Sequence, residues 1–146
     1  MKRRQLLKAT AAGLALSLTR VRGAFATQEE MAQAMKTAFG DRVIREGKVL
    51  LELPKLAENG NVVPVTITVD SPMTASDHVT TIHLFSEKNP LPDIVEFHLG
   101  PHNGKARVGT RIRLAETQKV VAVATLSDGS LWSAAVEVVT TITGCG

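Results

Sequence analysis

Asn61-Val62-Val63-Pro64-Val65-Thr66-Ile67-Thr68-Val69-Asp70 puts an apolar side chain at every second position: Val63, Val65, Ile67 and Val69 share one face, and Val62, Pro64, Thr66 and Thr68 the other. A period of two belongs to a strand with one buried face. Pro64 has no N–H to offer a neighbouring strand, so an edge position or a bulge is expected here. The same period starts at Lys48 and returns over 49–53, 79–85, 93–99, 107–114, 119–126 and 131–142, giving about seven strands. Turn chemistry separates them: Asn59-Gly60, Ser71-Pro72, Asn89-Pro90, Asn103-Gly104 and Asp128-Gly129. Asp128-Gly129 is the strongest hairpin signal, because both residues tolerate the positive φ of a tight primed turn. Short strands punctuated about every 8 to 12 residues predict an immunoglobulin-like antiparallel β-sandwich. The apolar pairs Val62-Val63, Ile94-Val95 and Val138-Val139 predict burial on both strand faces, under a further layer such as a second protein.

Upstream, Thr27-Gln28-Glu29-Glu30 has the form of a capping box, followed by Met31, Ala34, Met35, Ala38 and Phe39 at helical spacing and by Gly40 as a terminator. A short N-terminal helix is expected, with the methionines as packing groups. At 146 residues, 44% hydrophobic and 21% charged, the chain suits one globular domain and excludes collagen-like or largely disordered classes. The formal charge of +3 is unevenly placed: the first 26 residues hold Lys2, Arg3, Arg4, Lys8, Arg20 and Arg22 and no acid, leaving 11 basic against 14 acidic residues. A basic nucleic-acid-binding face is not expected on that remainder.

Residues 1–26 read as an export signal, with a basic start, an apolar run over 9–18 and Ala24-Phe25-Ala26 as a cleavage site. The apolar run is about half of the roughly 20 residues that span a bilayer, so no permanent membrane anchor is expected. Arg3-Arg4-Gln5-Leu6-Leu7-Lys8 resembles a twin-arginine signal, the alternative being an ordinary secretory signal with two arginines. The expected organisation is a signal peptide over 1–26, helix and linker over 27–47, the sandwich over 48–139 and a flexible carrier arm over 140–146.

Among candidates for chemistry, His78, His83, His98 and His102 show no i, i+2 strand spacing; His83 and His98 could meet across neighbouring strands. With no compact carboxylate cluster beside them, neither a metal site nor a cofactor is expected. Ser127, Ser130 and Ser133 lack a nucleophile-elbow context, so no triad is assigned. Arg107, Arg111 and Arg113 lie at even separations on one strand face, which suits either solvation or contact with a partner or anion. Cys145, the sole cysteine and the penultimate residue, rules out an internal disulfide. An exported lone thiol suggests either an intermolecular bond or a reactive group. Gly144 and Gly146 remove steric bulk on both sides of it and would let the thiol enter a narrow channel in another protein. The adjacent terminal carboxylate opposes thiolate formation, so activation would fall to the partner, which suits a carrier better than an autonomous enzyme.

Several segments carry a resemblance: Glu58-Asn59-Gly60-Asn61-Val62-Val63-Pro64-Val65, the run from Asn89-Pro90-Leu91-Pro92 through Phe97-His98-Leu99-Gly100-Pro101, Thr110-Arg111-Ile112-Arg113-Leu114-Ala115, and Ser127-Asp128-Gly129-Ser130 before Trp132. With the leader and the terminal Gly144-Cys145-Gly146, the chain resembles the SoxY family, sulfur-carrying subunits of the periplasmic thiosulfate-oxidation (Sox) complex. The family tail is usually Gly-Gly-Cys-Gly-Gly; here Thr143 replaces the outer glycine and no second glycine follows. The resemblance implies a periplasmic, non-enzymatic carrier without a prosthetic group, bearing thiosulfate-derived adducts on Cys145. It further implies a SoxZ-like companion subunit forming a heterodimer. Visits to a haem protein that attaches thiosulfate, a hydrolase that releases sulfate and, in some organisms, a sulfane dehydrogenase are also implied. The competing reading is an exported interaction module whose single Cys forms an intermolecular disulfide.

Overall fold

The structure, a computed structural model, describes residues 26–141. The expected signal sequence apart from Ala26, and the glycine-flanked Cys145 at the other end, lie outside the described residues.

Helix α1 (Gln28–Phe39) begins as its capping box dictates. The Glu30 N–H donates to Thr27 Oγ1 at 3.2 Å, and the Thr27 N–H donates to Glu30 Oε2 at 2.8 Å. Gly40 ends it at φ 67°. Of the expected stripe, Met31 and Phe39 are buried and Ala34 and Met35 partly so, whereas Ala38 is exposed.

Nine strands follow among the described residues: β1 (Ile44–Glu46), β2 (Val49–Glu52), β3 (Leu56–Ala57), β4 (Val63–Val69), β5 (Val79–Ser86), β6 (Asp93–His98), β7 (Arg107–Ile112), β8 (Gln118–Leu126) and β9 (Leu131–Thr140). They form two sheets, one in the order β1-β9-β8-β5-β6 with β3 also on β9, the other in the order β2-β4-β7. This is the immunoglobulin-like sandwich, with two additions. The short β1 and β3 pair with β9 in parallel, so the larger sheet is mixed. Strands of two or three residues are too short to show an alternation, which is why periodicity alone yields seven. One of them, β1, lies in the stretch read as linker.

The main core lies between the sheets, with Ile67, Val63 and Val65 from β4 facing Ile82 and Leu84 from β5 and Val120, Ala122 and Ala124 from β8. A second cluster lies on the opposite side of the larger sheet. There Met31 and Phe39 of α1 cover Phe85, Val121, Val123 and Leu131. Each such buried side chain contributes roughly 1.5–3 kcal/mol of transfer free energy. Strand β8 is therefore apolar on both faces because it has a layer on each side.

Three local expectations need correction. Pro64 sits on the central strand of the smaller sheet, but β2 pairs only with Thr66 to Val69, so β4 has an uncovered flank beside Pro64 that needs no donor. The turn after β8 is not a primed one. Among the described residues positive φ outside glycine occurs only at Lys48 and Met73, so Asp128 keeps a negative φ and only Gly129, at φ 86°, is left-handed. The Gly129 N–H donates to Leu126 O and the Leu126 N–H to Ser130 O, the pattern of a three-residue loop closed by a bulge glycine. Finally, Val62 and Val139 are about half exposed, 52% and 46%, so no further layer covers them among the described residues.

The chain crosses between sheets at Gly47 (φ 124°) and Lys48 (φ 57°), against the ring of Trp132. Lys48 Nζ lies 5.0 Å and the Arg45 guanidinium 5.7 Å from the ring centroid, within cation–π range. Trp132 Nε1 donates to Ser130 Oγ at 3.1 Å, and Ser130 Oγ donates to Asp128 Oδ1 at 2.6 Å. This relay ties the β8–β9 turn to the crossing point.

Candidate functional site at the end of the last strand

Whatever Cys145 does, it starts from the place where β9 ends. The Thr140 N–H donates to Thr117 Oγ1 at 3.0 Å, and on the other flank Ala57 pairs with Thr140. One residue on, the Thr141 N–H donates to Ala57 O at 3.1 Å and its hydroxyl to Glu58 O at 3.4 Å. The chain is thus gripped from two sides as far as Thr141. Five residues follow, a span of at most about 17 Å when extended.

The grip has its own supports. Asn59-Gly60 carries the turn from β3 towards β4, and Gly60 O accepts from the Leu114 N–H at 2.8 Å. A Cβ on Gly60 would stand 2.5 Å from Leu114 O, so this close approach of two backbones requires glycine. Beside Thr117 lies Gln118, only 2% exposed, with its side chain fully used. Its Nε2 donates to Asn89 Oδ1 and to Glu116 O, and its Oε1 accepts from the Lys88 N–H at 2.9 Å. Asn89 in turn donates from Nδ2 to Arg113 O at 2.7 Å and accepts from the Ala115 N–H at 3.1 Å. The pair of side-chain amides, Gln118 buried and Asn89 partly so, therefore ties the β5–β6 loop to the β7–β8 loop. A buried polar side chain such as Gln118 is costly unless its partners are present, and here those partners brace the loop carrying Thr117. The arrangement is an anchor for the end of β9.

The sequence marks Asn89 only as a turn residue, gives Gln118 and Thr117 no role, and puts Thr140 at the start of the flexible arm, whereas Thr140 is the last residue of β9 and is held on both flanks. A signal existed for Gln118: it is in phase with Val120, Ala122 and Ala124 on the inward face, where a polar side chain needs partners.

The remaining candidates fall elsewhere. His83 and His98 do meet across β5 and β6, through Glu96: its Oε2 lies 3.1 Å from His83 Nε2 and its Oε1 3.2 Å from His98 Nε2. His83 is buried and packs edge-on against Phe39, with ring centroids 5.2 Å apart. His78 Nδ1 sits 3.1 Å from Thr74 O, and His102 is exposed. Among the described residues no three His, Cys, Asp or Glu side chains converge as a metal site. Ser127 bonds to the Ser76 carbonyl and the His78 N–H, and Ser130 is taken up by Asp128 and Trp132. The hydroxyl and N–H of Ser130 hold the Asp128 carboxyl below the usual carboxylate range. Arg107, Arg111 and Arg113 are exposed on one face, as their spacing predicts. No helix among the described residues is long and apolar enough to cross a membrane.

Comparison with known proteins adds the following. The model of the family described as sulfur oxidation protein SoxY matches residues 35–145. The sulfur carrier protein SoxY from Chlorobium limicola f thiosulfatophilum is 32% identical, with 78% of this chain and 98% of that chain covered, at a TM-score of 0.66. The superoxide reductase (neelaredoxin) from Ignicoccus hospitalis is 16% identical over 81% of this chain and 96% of its own, at a TM-score of 0.58. A superoxide reductase from Nanoarchaeum equitans is 16% identical over 66% and 100%, at a TM-score of 0.55. At such identities the reductases show a shared fold alone. No curated protein matches the chain.

Proposed function

The chain belongs to the SoxY family of sulfur oxidation proteins and has a sulfur-carrier role in that system, and from this premise we propose that Cys145 is the atom-bearing site. The observation that carries the reading is the extent of the family match, which runs to Cys145, the chain's sole cysteine. The anchored end of β9 supports it, because a fixed root and a five-residue tail with two glycines would let one sulfur visit several enzymes. Tethering keeps the intermediate at a high effective concentration, set by tether length.

The chemistry balances as carrier chemistry. The Cys145 thiol and the outer sulfur of thiosulfate form an S–S bond with loss of a proton and two electrons. A haem partner accepts those electrons. Water then attacks the terminal sulfonate sulfur in a hydrolase, releasing sulfate and leaving a persulfide on Cys145. A sulfane dehydrogenase, where the host has one, would oxidise that remaining sulfur. In this reading the chain supplies no acid, base or cofactor of its own, and it works as a heterodimer with a SoxZ-like companion subunit. Residues 1–26 would deliver it to the periplasm, by the twin-arginine route.

Intact-mass analysis after incubation with thiosulfate and the haem partner tests the assignment. The wild-type protein is expected to gain a thiosulfonate adduct, and Cys145→Ser to gain none while keeping its thermal unfolding curve. An adduct that persists in Cys145→Ser would place the site elsewhere, and a covalent dimer as sole product would favour a disulfide-linked interaction module.

A further inference from the structure

The outward face of the smaller sheet is laid out by its register. Leu50, Thr68 and Arg107 stand in one row, Glu52, Thr66 and Gly109 in the next, and Pro64 with Arg111 in a third. Val62 and Arg113 extend the same face by one further row, towards the end where Gly60 meets Leu114. Nothing among the described residues packs on this face, whereas the corresponding face of the larger sheet is covered by α1. Two of the exposed large apolar residues, Leu50 at 57% and Val62 at 52%, stand on it.

Charge is segregated on the same face. After the first 26 residues the chain is acidic by three charges. Along β7, an edge strand of its sheet, and just past its end, Arg107, Arg111 and Arg113 nevertheless form a row, and none is in an ion pair among the described residues. Lys48 and Lys105 flank one end, in a shallow depression of about 400 Å³ shared with Asp70. Glu52 is the only acid within the rows. A flat centre of Leu, Val, Pro and Thr bordered by guanidinium groups has the composition of a protein interface, where arginine is enriched and the centre is uncharged. No aromatic or other protruding wedge suits it to insertion in lipid.

We infer that this face, Leu50, Val62, Pro64, Thr66 and Thr68 bordered by Arg107 and Arg111, is the docking surface for a protein partner with an acidic border of its own. Resting on the function proposed above, the partner is the companion subunit. Docked here, its edge meets the Val62–Arg113 end of the face, beside the loops that hold the root of the tail. The companion would therefore lie beside the anchored end of β9.

Calorimetric titration of the full protein with the purified companion subunit tests this. Arg107→Glu/Arg111→Glu is expected to bind at least about tenfold more weakly, because reversed charges meet a like-charged border. Lys36→Glu/Lys119→Glu, with the same change in net charge on other surfaces, is expected to bind as wild type. Wild-type affinity is expected to fall as salt rises. Should the glutamate variant misfold by circular dichroism, Arg107→Gln/Arg111→Gln replaces it, with a smaller loss in the same direction. Unchanged affinity in a folded variant would overturn the assignment of the face while leaving the carrier reading intact. Absence of any wild-type binding would overturn the companion itself. Arginine-dependent sedimentation with phosphatidylglycerol vesicles, without companion binding, would show a lipid-facing surface instead.

Discussion

The outward faces of the two sheets are made of similar strands and have opposite fates. On the larger sheet, β5 and β8 are buried on both sides: Ile82, Leu84 and Val120 face the inter-sheet core, and Phe85, Val121 and Val123 lie under α1. On the smaller sheet, β4 alternates strictly between the buried Val63, Val65, Ile67 and Val69 and the more open Pro64, Thr66 and Thr68. The difference lies in what covers the second face. A continuous apolar run marks a strand with a layer on each side, and an alternating one marks a face left for solvent or for another protein.

If that contrast is real, substitutions on the two faces must differ in cost. Phe85→Ala, under the helix, is expected to lose about 3–5 kcal/mol in chemical denaturation; a loss below about 1 kcal/mol would mean that α1 does not seal this face. Gln118→Ala leaves the Lys88 N–H without its acceptor and removes one of the two donors to Asn89 Oδ1, and should cost about 1–3 kcal/mol. It should also speed hydrogen exchange at Thr140, since the loop bearing Thr117 loses its brace.

Removing the cap of the covering helix with Thr27→Ala is expected to cost about 1 kcal/mol, read as a lower midpoint of unfolding. On the uncovered face, Arg111→Ala should leave the isolated protein within about 0.5 kcal/mol of wild type. A larger loss would show that this face already packs against something. The smallest effect concerns the β8–β9 turn. Bonds from Ser130 hold the folded-state pKa of Asp128 below its ordinary value. Its contribution is therefore complete above the usual carboxylate range and fades as pH falls through the lowered folded value. Asp128→Asn is expected to be slightly less stable than wild type near neutral pH, with the difference closing as pH falls through the lowered folded value.

Much of the smaller sheet was legible in the residues alone, because alternation at every second position is a local property. The same holds for α1, whose Thr27 and Glu30 form their box within one turn of backbone. The larger sheet was less legible. Its β1 and β3 are three and two residues long and exist only because β9 offers a free flank to each. Of the candidate site, the sequence shows Cys145 between two glycines, which lie outside the described residues. The apparatus that fixes the end of β9 was not legible, since Asn89, Thr117, Gln118 and Thr140 come from separate parts of the chain.

By itself the sequence determined which positions face inward, where the helix starts, where the strands turn, and that the sole cysteine has a glycine on each side. Those are consequences of backbone periodicity and of side chains acting within a few residues of themselves. Only the tertiary structure decided that Glu96 joins two histidines, that Gly60 must lack a side chain to admit Leu114, and that one sheet keeps an open face edged with arginine. Such facts depend on which strands become neighbours. That choice is made by the burial of whole faces, and no short stretch of residues contains it.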